Sequence, residues 1–221
     1  MGKAFKSIIY IVLGAVLFVA SSFYFAEGFY QKMVAEDGVF EYITAIVLLL
    51  ISILFLLRFI NKYRNRNNYW IVFNLLVIMG AFFGFGEEIS WGQRIFNFES
   101  GDFFMQQNLQ NETNLHNLEI NGVKINKLIF SQGLTVVFGL YFIGSLVLYK
   151  YWSGFKKLID LYGVPIPSLT HTLLIVIYTV PVFVVPDLRI WELWEATFVV
   201  LLLLVFIEPV NTSEKLFPLR N

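Results

Sequence analysis

Six apolar runs set the limits on what this chain can fold into. They cover about residues 7–27, 39–60, 69–86, 127–150, 168–186 and 190–208. Each is long enough, or nearly so, to cross about 30 Å of hydrocarbon as a helix rising about 1.5 Å per residue. A backbone in lipid must satisfy its own hydrogen bonds, and a helix does so within one segment. The expected fold is all-α: an integral membrane bundle of six transmembrane helices forming one domain over residues 1–221. One long, partly helical outer loop, about 87–126, joins the third and fourth spans. Composition agrees, at 57% hydrophobic, 18% aromatic and 14% charged residues with mean hydropathy +0.68. The first run follows Lys3 and Lys6, as a leader peptide would. It is expected to be a retained span, because it is too long and no small-x-small site ends it.

The basic residues orient the bundle. Lys3, Lys6, Arg58, Lys62, Arg64, Arg66, Lys150, Lys156, Lys157, Lys215 and Arg220 fall on one side. Lys32, Arg94, Lys124, Lys127 and Arg189 fall on the other. Eleven against five places both termini in the cytoplasm by the positive-inside rule, in a plasma (inner) membrane. The acidic residues sort the opposite way, with only Asp160, Glu208 and Glu214 inside. Topology does not require that split, so it points to an outer surface with a use.

Most of that use is expected in Gly84–His116. The third run leads straight into Glu87 and Glu88, and then into Ser90, Trp91, Gln93 and Arg94. Carboxylates at the edge of a bilayer mark a site or a paired network. Two adjacent carboxylates suit proton transfer. Arg94 can neutralise one of them or hold an anionic group such as a lipid phosphate. Asn108, Glu112 and His116 are spaced i, i+4, i+8, and on a helix they would share a face. Such a face could be a solvated surface, an acid–base pair or part of a divalent-metal site. Glu41 opens the second run, and Glu192 and Glu195 open the sixth beside Trp191 and Trp194. Three spans thus deliver carboxylates to one outer layer. The expected catalytic set is Glu87, Glu88, Arg94, Glu112 and His116. Trp91, Gln93, Asn108, Glu41, Glu192 and Glu195 are expected to bind substrate. Glu88, Glu112 and His116 are the metal-ligand candidates, and oxygen ligands with one imidazole suit manganese, iron or zinc.

Other chemistries are excluded or lack their pattern. Without cysteine there is no disulfide, thiolate site or thiol nucleophile. Zero net charge gives no field for nucleic acid. G-F-G-E-E lacks the strand and spacing of a phosphate loop. Ser90 lacks the surroundings of a nucleophile elbow. His171, near the cytoplasmic start of the fifth run, reads as a helix-end residue bonded to backbone.

The run G-E-E-I-S-W-G-Q-R-I-F at Gly86–Phe96 resembles a pattern of bacterial multi-pass membrane proteins, together with N-E-T-N-L-H-N and E-D-G-x-x-E at Glu36–Glu41. The resemblance implies a helical membrane fold and no particular activity. The seven-span membrane hydrolases that include alkaline ceramidases use three histidines on zinc. Six runs and one outer histidine depart from that pattern. Three function classes remain: an interfacial enzyme for a lipid-linked or amphiphilic substrate, a partner-binding or assembly subunit (including a homo-oligomer), and a cation transporter. The scarcity of polar residues at the span centres, essentially Ser52, Asn74 and Gln132, counts against transport.

Overall fold

The computed structural model describes residues 3–35, 38–115, 117–120, 123–124 and 134–219. These are mostly helical. The first run folds as α1 (Lys3–Ser22). It ends five residues earlier than the sequence suggested. The Ser22 hydroxyl turns back to the Val19 carbonyl at 2.6 Å, and a short α2 (Glu27–Met33) follows. Next come α3 (Val39–Lys62) and α4 (Asn68–Glu88), packed against each other as a helical hairpin. Gly38 is the N-cap of α3 and offers no side-chain bond; Glu36 and Asp37 just before it lie outside the described residues. Asn67 caps α4, its Oδ1 accepting from the Trp70 amide at 2.7 Å.

The segment after α4 carries α5 (Gln93–Phe96), α6 (Asp102–Gln107) and a two-residue ladder, β1 (Glu119–Ile120) antiparallel to β2 (Val123–Lys124). The fourth run is described from residue 134 as α7 (Leu134–Gly139), a π-helical stretch (Leu140–Gly144) and α8 (Ser145–Tyr151). Residues 150–157, read as a loop, instead finish α8 and begin α9 (Ser153–Tyr162), bent by 114° from the helix before it. Then come α10 (Leu169–Val184), α11 (Ile190–Ile207) and a short α12 (Ser213–Leu216). His171 closes a capping box at the start of α10, its Nδ1 accepting from the Ser168 amide at 3.1 Å. Pro181 lies inside α10, near its outer end.

Three helical stretches are long and apolar enough to cross a membrane unaided: Val39–Asn65, Asn68–Glu88 and Ile190–Ile207. The bent pair from Val136 to Tyr162 makes a fourth if counted as one span. Ser7–Ser22 and Leu169–Val184 are shorter apolar helices. The molecule is therefore a helical protein of membrane character.

Helix α11 is the axis. It packs against α3, α10 and α1. Leu193, Ala196, Thr197, Leu201, Leu204 and Val205 are essentially inaccessible. Around it, α3 and α4 turn Ile46, Leu57, Leu76, Met79 and Phe82 outward, each at least 42% exposed. A helix apolar all round is either buried or faces lipid, and α11 and the α3–α4 hairpin represent the two cases. Polar atoms inside are matched locally. Ser52 donates to the Ile78 carbonyl at 3.0 Å across α3 and α4, and Arg58 donates to the Phe206 carbonyl at the end of α11 at 2.7 Å.

Candidate functional site

The G-E-E-I-S-W-G-Q-R run can be read residue by residue in the structure. Helix α4 ends at Glu88, and the chain then passes through Ser90 (φ 47°), Trp91 (φ 53°) and Gly92 (φ 82°). Non-glycine residues in the left-handed region cost about 1–2 kcal/mol each, so the surroundings must hold them there. The Trp91 ring folds back onto Gly86, where a Cβ would lie 2.8 Å from ring carbons. Its indole Nε1 donates to Glu87 Oε1 at 2.8 Å. The other oxygen of Glu87 accepts from the Leu115 amide at 2.5 Å. Glu87 is only 4% exposed and pins the long loop to the end of α4.

The next residues extend this clasp. Ser90 Oγ donates to Glu112 Oε2 at 2.5 Å and accepts from Asn114 Nδ2 at 2.8 Å. Gln93 Oε1 accepts from the Thr113 amide at 2.7 Å and from Ser100 Oγ at 3.0 Å. Arg94 spans the site: Nη2 lies 3.4 Å from Glu41 Oε1 on α3, and Nη1 lies 3.4 Å from Glu112 Oε1. The same Nη2 also donates to the Glu88 carbonyl at 3.3 Å. All three side chains are partly buried, so the pairs are screened less than surface pairs.

The loop itself corrects one expectation. Asn108 and Glu112 do not share a helix face, because α6 stops at Gln107 and Asn108 is extended (φ −100°, ψ 130°). Asn108 is buried, and its Oδ1 accepts from the Gln110 amide at 2.9 Å and the Glu112 amide at 3.1 Å. Its Nδ2 reaches Asn114 Oδ1 at 2.8 Å, and that same oxygen accepts from the Asn117 amide at 3.1 Å. Asparagine side chains compete with a helical backbone for its own hydrogen bonds. With four of them between 108 and 117, the turns prevail. Asn108 and Glu112 still meet, through that turn. His116 lies outside the described residues.

Two carboxyl groups stand apart from the clasp. Glu88 on α4 is acted on by the charge of Glu195 first, then by Glu192, Glu41 and Glu87. Glu195 on α11 is acted on in turn by Glu41. Carboxyl groups from α3, α4 and α11 are thus near enough to feel one another's charge. Neither the Glu88 nor the Glu195 side chain makes a hydrogen bond or ion pair with a described residue, whereas Glu41 and Glu87 are bonded and Glu192 is partnered. Both are half-buried. Among the described residues, no group of three or more His, Asp or Glu side chains is arranged to hold a metal ion.

A second feature adjoins on α11. Phe138, Phe142, Ile175, Thr179, Trp194 and Phe198 line a cavity of about 350 Å³ between α7 with its π-helical continuation, α10 and α11. In its wall, Trp194 Nε1 donates to Thr179 Oγ1 at 3.1 Å, and that hydroxyl donates to the Ile175 carbonyl at 2.7 Å. Trp194 and Glu195 are consecutive, so the cavity and the carboxyl cluster sit on faces of α11 about 100° apart.

Sequence reasoning missed Ser90, Ser100 and Asn114 as parts of the site. Each has a partner more than 10 residues away, Glu112 for Ser90, Asn111 for Ser100 and Ser90 for Asn114, at separations that no local spacing encodes. No protein family, curated protein or solved structure matches the chain, and function has to be argued from this chemistry alone.

Proposed function

We propose that the protein is a membrane-embedded enzyme acting on a lipid-linked or amphiphilic substrate, with Glu88 and Glu195 as its proton-transfer pair. In this reading all six apolar helices cross the membrane, both termini are cytoplasmic, and the carboxyl cluster lies at the outer face. The observation that carries it is the division of labour within the polar stretch. Glu87, Ser90, Gln93, Arg94 and Glu112 hold the loop in place, while Glu88 and Glu195 make no bond to a described residue. Two carboxyl groups near enough to feel each other's charge can give a proton to a leaving oxygen and take one from an attacking hydroxyl or water. Arg94, anchored between Glu41 and Glu112, stands where an anionic head group would arrive. The apolar cavity beside Trp194 has the character needed for a hydrocarbon chain.

The test is turnover in lipid nanodiscs, read by mass spectrometry, against lipid phosphates, glycolipids and acyl esters. Glu88→Gln and Glu195→Gln should each lower turnover of the accepted class by about 10²–10⁴-fold. Undiminished turnover in both correctly inserted variants would remove the pair from the mechanism.

A second reading has its own observation. The clasped segment exposes Ile95 (66%), Phe96 (76%), Phe103 and Met105 on a backbone fixed by the polar network. A rigid apolar platform of this kind suits a protein partner or a second copy. It is favoured if Phe96→Asp disperses an assembly while Glu88→Gln has no effect.

A further inference from the structure

We infer that α9 lies in the plane of the membrane and binds anionic phospholipid head groups through Lys156 and Lys157. The geometry comes first. The chain bends by 114° at Trp152, so α9 runs nearly perpendicular to the apolar helix that precedes it. If that helix crosses the bilayer, α9 must run along its surface. The pattern comes second. Phe155, Leu158, Ile159, Leu161 and Tyr162 occupy one side of a helical wheel, and Ser153, Lys156, Lys157 and Asp160 the other.

Only one edge of α9 is held by protein. Ile159 is buried. Asp160 accepts from the Tyr149 hydroxyl at 2.7 Å and lies 3.7 Å from Lys215 Nζ. The Leu161 carbonyl accepts from Asn67 Nδ2 at 3.0 Å, and the Tyr162 ring meets Tyr69 edge-on at 5.2 Å. These contacts fix the helix axis and its rotation. What they leave outward is amphipathic. Trp152 (58%) is exposed at the bend, Leu158 (52%) and Leu161 (38%) are exposed on the apolar side of α9, and Lys156 and Lys157 are exposed on its polar side. An aromatic residue with apolar and basic neighbours on a short surface helix matches the headgroup boundary.

Charge then selects the occupant. Between residues 121 and 186 the chain has one acidic side chain, Asp160, and that carboxylate already holds Lys215 and Tyr149. Lys156 and Lys157 make no ion pair with a described residue; Lys156 lies over the Tyr149 ring, 5.4 Å from its centroid. Lys150 adds a third ammonium two residues before the bend, 5.2 Å from the Tyr151 ring centroid. Lysines at a membrane surface attract acidic lipid with about fivefold gain each. The exposed leucines on the apolar side of the same helix favour a lipid over a soluble anion.

The test uses the full chain in nanodiscs of phosphatidylcholine with an equal share of phosphatidylglycerol. Native mass spectrometry should find phosphatidylglycerol enriched among retained lipids. Lys156→Gln/Lys157→Gln should lose about fivefold of that enrichment per lysine, and the double Arg variant should keep it. Because the chain has no cysteine, a spin label at Leu158→Cys reports the position of the helix independently. It should be accessible to oxygen and shielded from a water-soluble relaxant. Absence of enrichment, or a Gln variant equal to wild type, overturns the proposal. So does displacement of the lipid by inorganic phosphate alone, which would mark a soluble-anion site. A label open to water refutes the in-plane placement. A label shielded from both oxygen and water would put another protein chain on this face instead.

Discussion

Glu87 is expected to be the residue whose loss unfastens the loop that follows α4. Its carboxylate is 4% exposed and accepts from Trp91 Nε1 at 2.8 Å and from the Leu115 amide at 2.5 Å. Glu87→Ala leaves both donors without that acceptor in a place water hardly reaches. Each abandoned buried donor costs about 1–3 kcal/mol, so the loop should lose about 3–5 kcal/mol of local stability. A loss of about 3 kcal/mol speeds local opening on the order of a hundredfold. Hydrogen exchange by mass spectrometry over residues 108–115 measures it, with the Leu115 amide as the marker. Glu87→Gln keeps one accepting oxygen and should cost about half as much. Glu88→Ala is the control: its side chain makes no bond to the loop, and exchange there should stay within about threefold of wild type. If Glu87→Ala leaves the Leu115 amide as protected as before, or Glu88→Ala exposes it equally, the clasp has been wrongly assigned.

Gly163 sits at φ 64°, where an added Cβ would lie 2.6 Å from the Leu216 carbonyl oxygen and 2.7 Å from Trp70 Cδ1; Gly163→Ala should destabilise the inner end of the bundle by about 2–3 kcal/mol, seen as a lower Tm in detergent. The Tyr30 hydroxyl is buried with no hydrogen-bond partner among the described residues, so Tyr30→Phe should be neutral or stabilising by up to about 1 kcal/mol. Burial first, then the charge of Asp187, opposed by Arg189, pushes that phenol up to about 12 from its ordinary 10.0. Between those values the unfolded chain has released the proton while the folded chain keeps it. Stability should therefore fall as pH rises through that window, and the fall should be smaller in Tyr30→Phe. For the proposed orientation, a membrane-impermeant maleimide on intact cells should label Asn111→Cys and spare Asn65→Cys, and labelling of Asn65→Cys alone would reverse it.

The helices were legible because burial in lipid or core imposes an apolar pattern that needs no partner to be seen. Ser168 and His171 at the start of α10 are equally local, since a capping box closes within three residues. The nearness in charge of Glu41, Glu88 and Glu195 needs only their positions near the ends of α3, α4 and α11. The clasp was not legible in the same way. Ser90 and Glu112 are 22 residues apart, and nothing along the chain couples a hydroxyl to a carboxylate at that separation. The i, i+4 spacing of Asn108 and Glu112 was ambiguous, because asparagine serves a turn better than a helix. Helix α9 was hidden by its lysines, which read first as an inner loop. Its apolar residues at 155, 158, 159 and 162 already had helical spacing.

The central claim is that Glu88 of α4 and Glu195 of α11 face one another in one outer site. A chain without cysteine allows this to be measured in native membranes. Glu88→Cys and Glu195→Cys, introduced together, should be joined by a short bifunctional maleimide, leaving a cross-linked fragment after proteolysis between α4 and α11. Glu88→Cys paired with Leu173→Cys, an exposed position on α10, is the control and should not join. Efficient cross-linking of the carboxyl pair alone is the result expected here; cross-linking of neither pair, or of both equally, would contradict it.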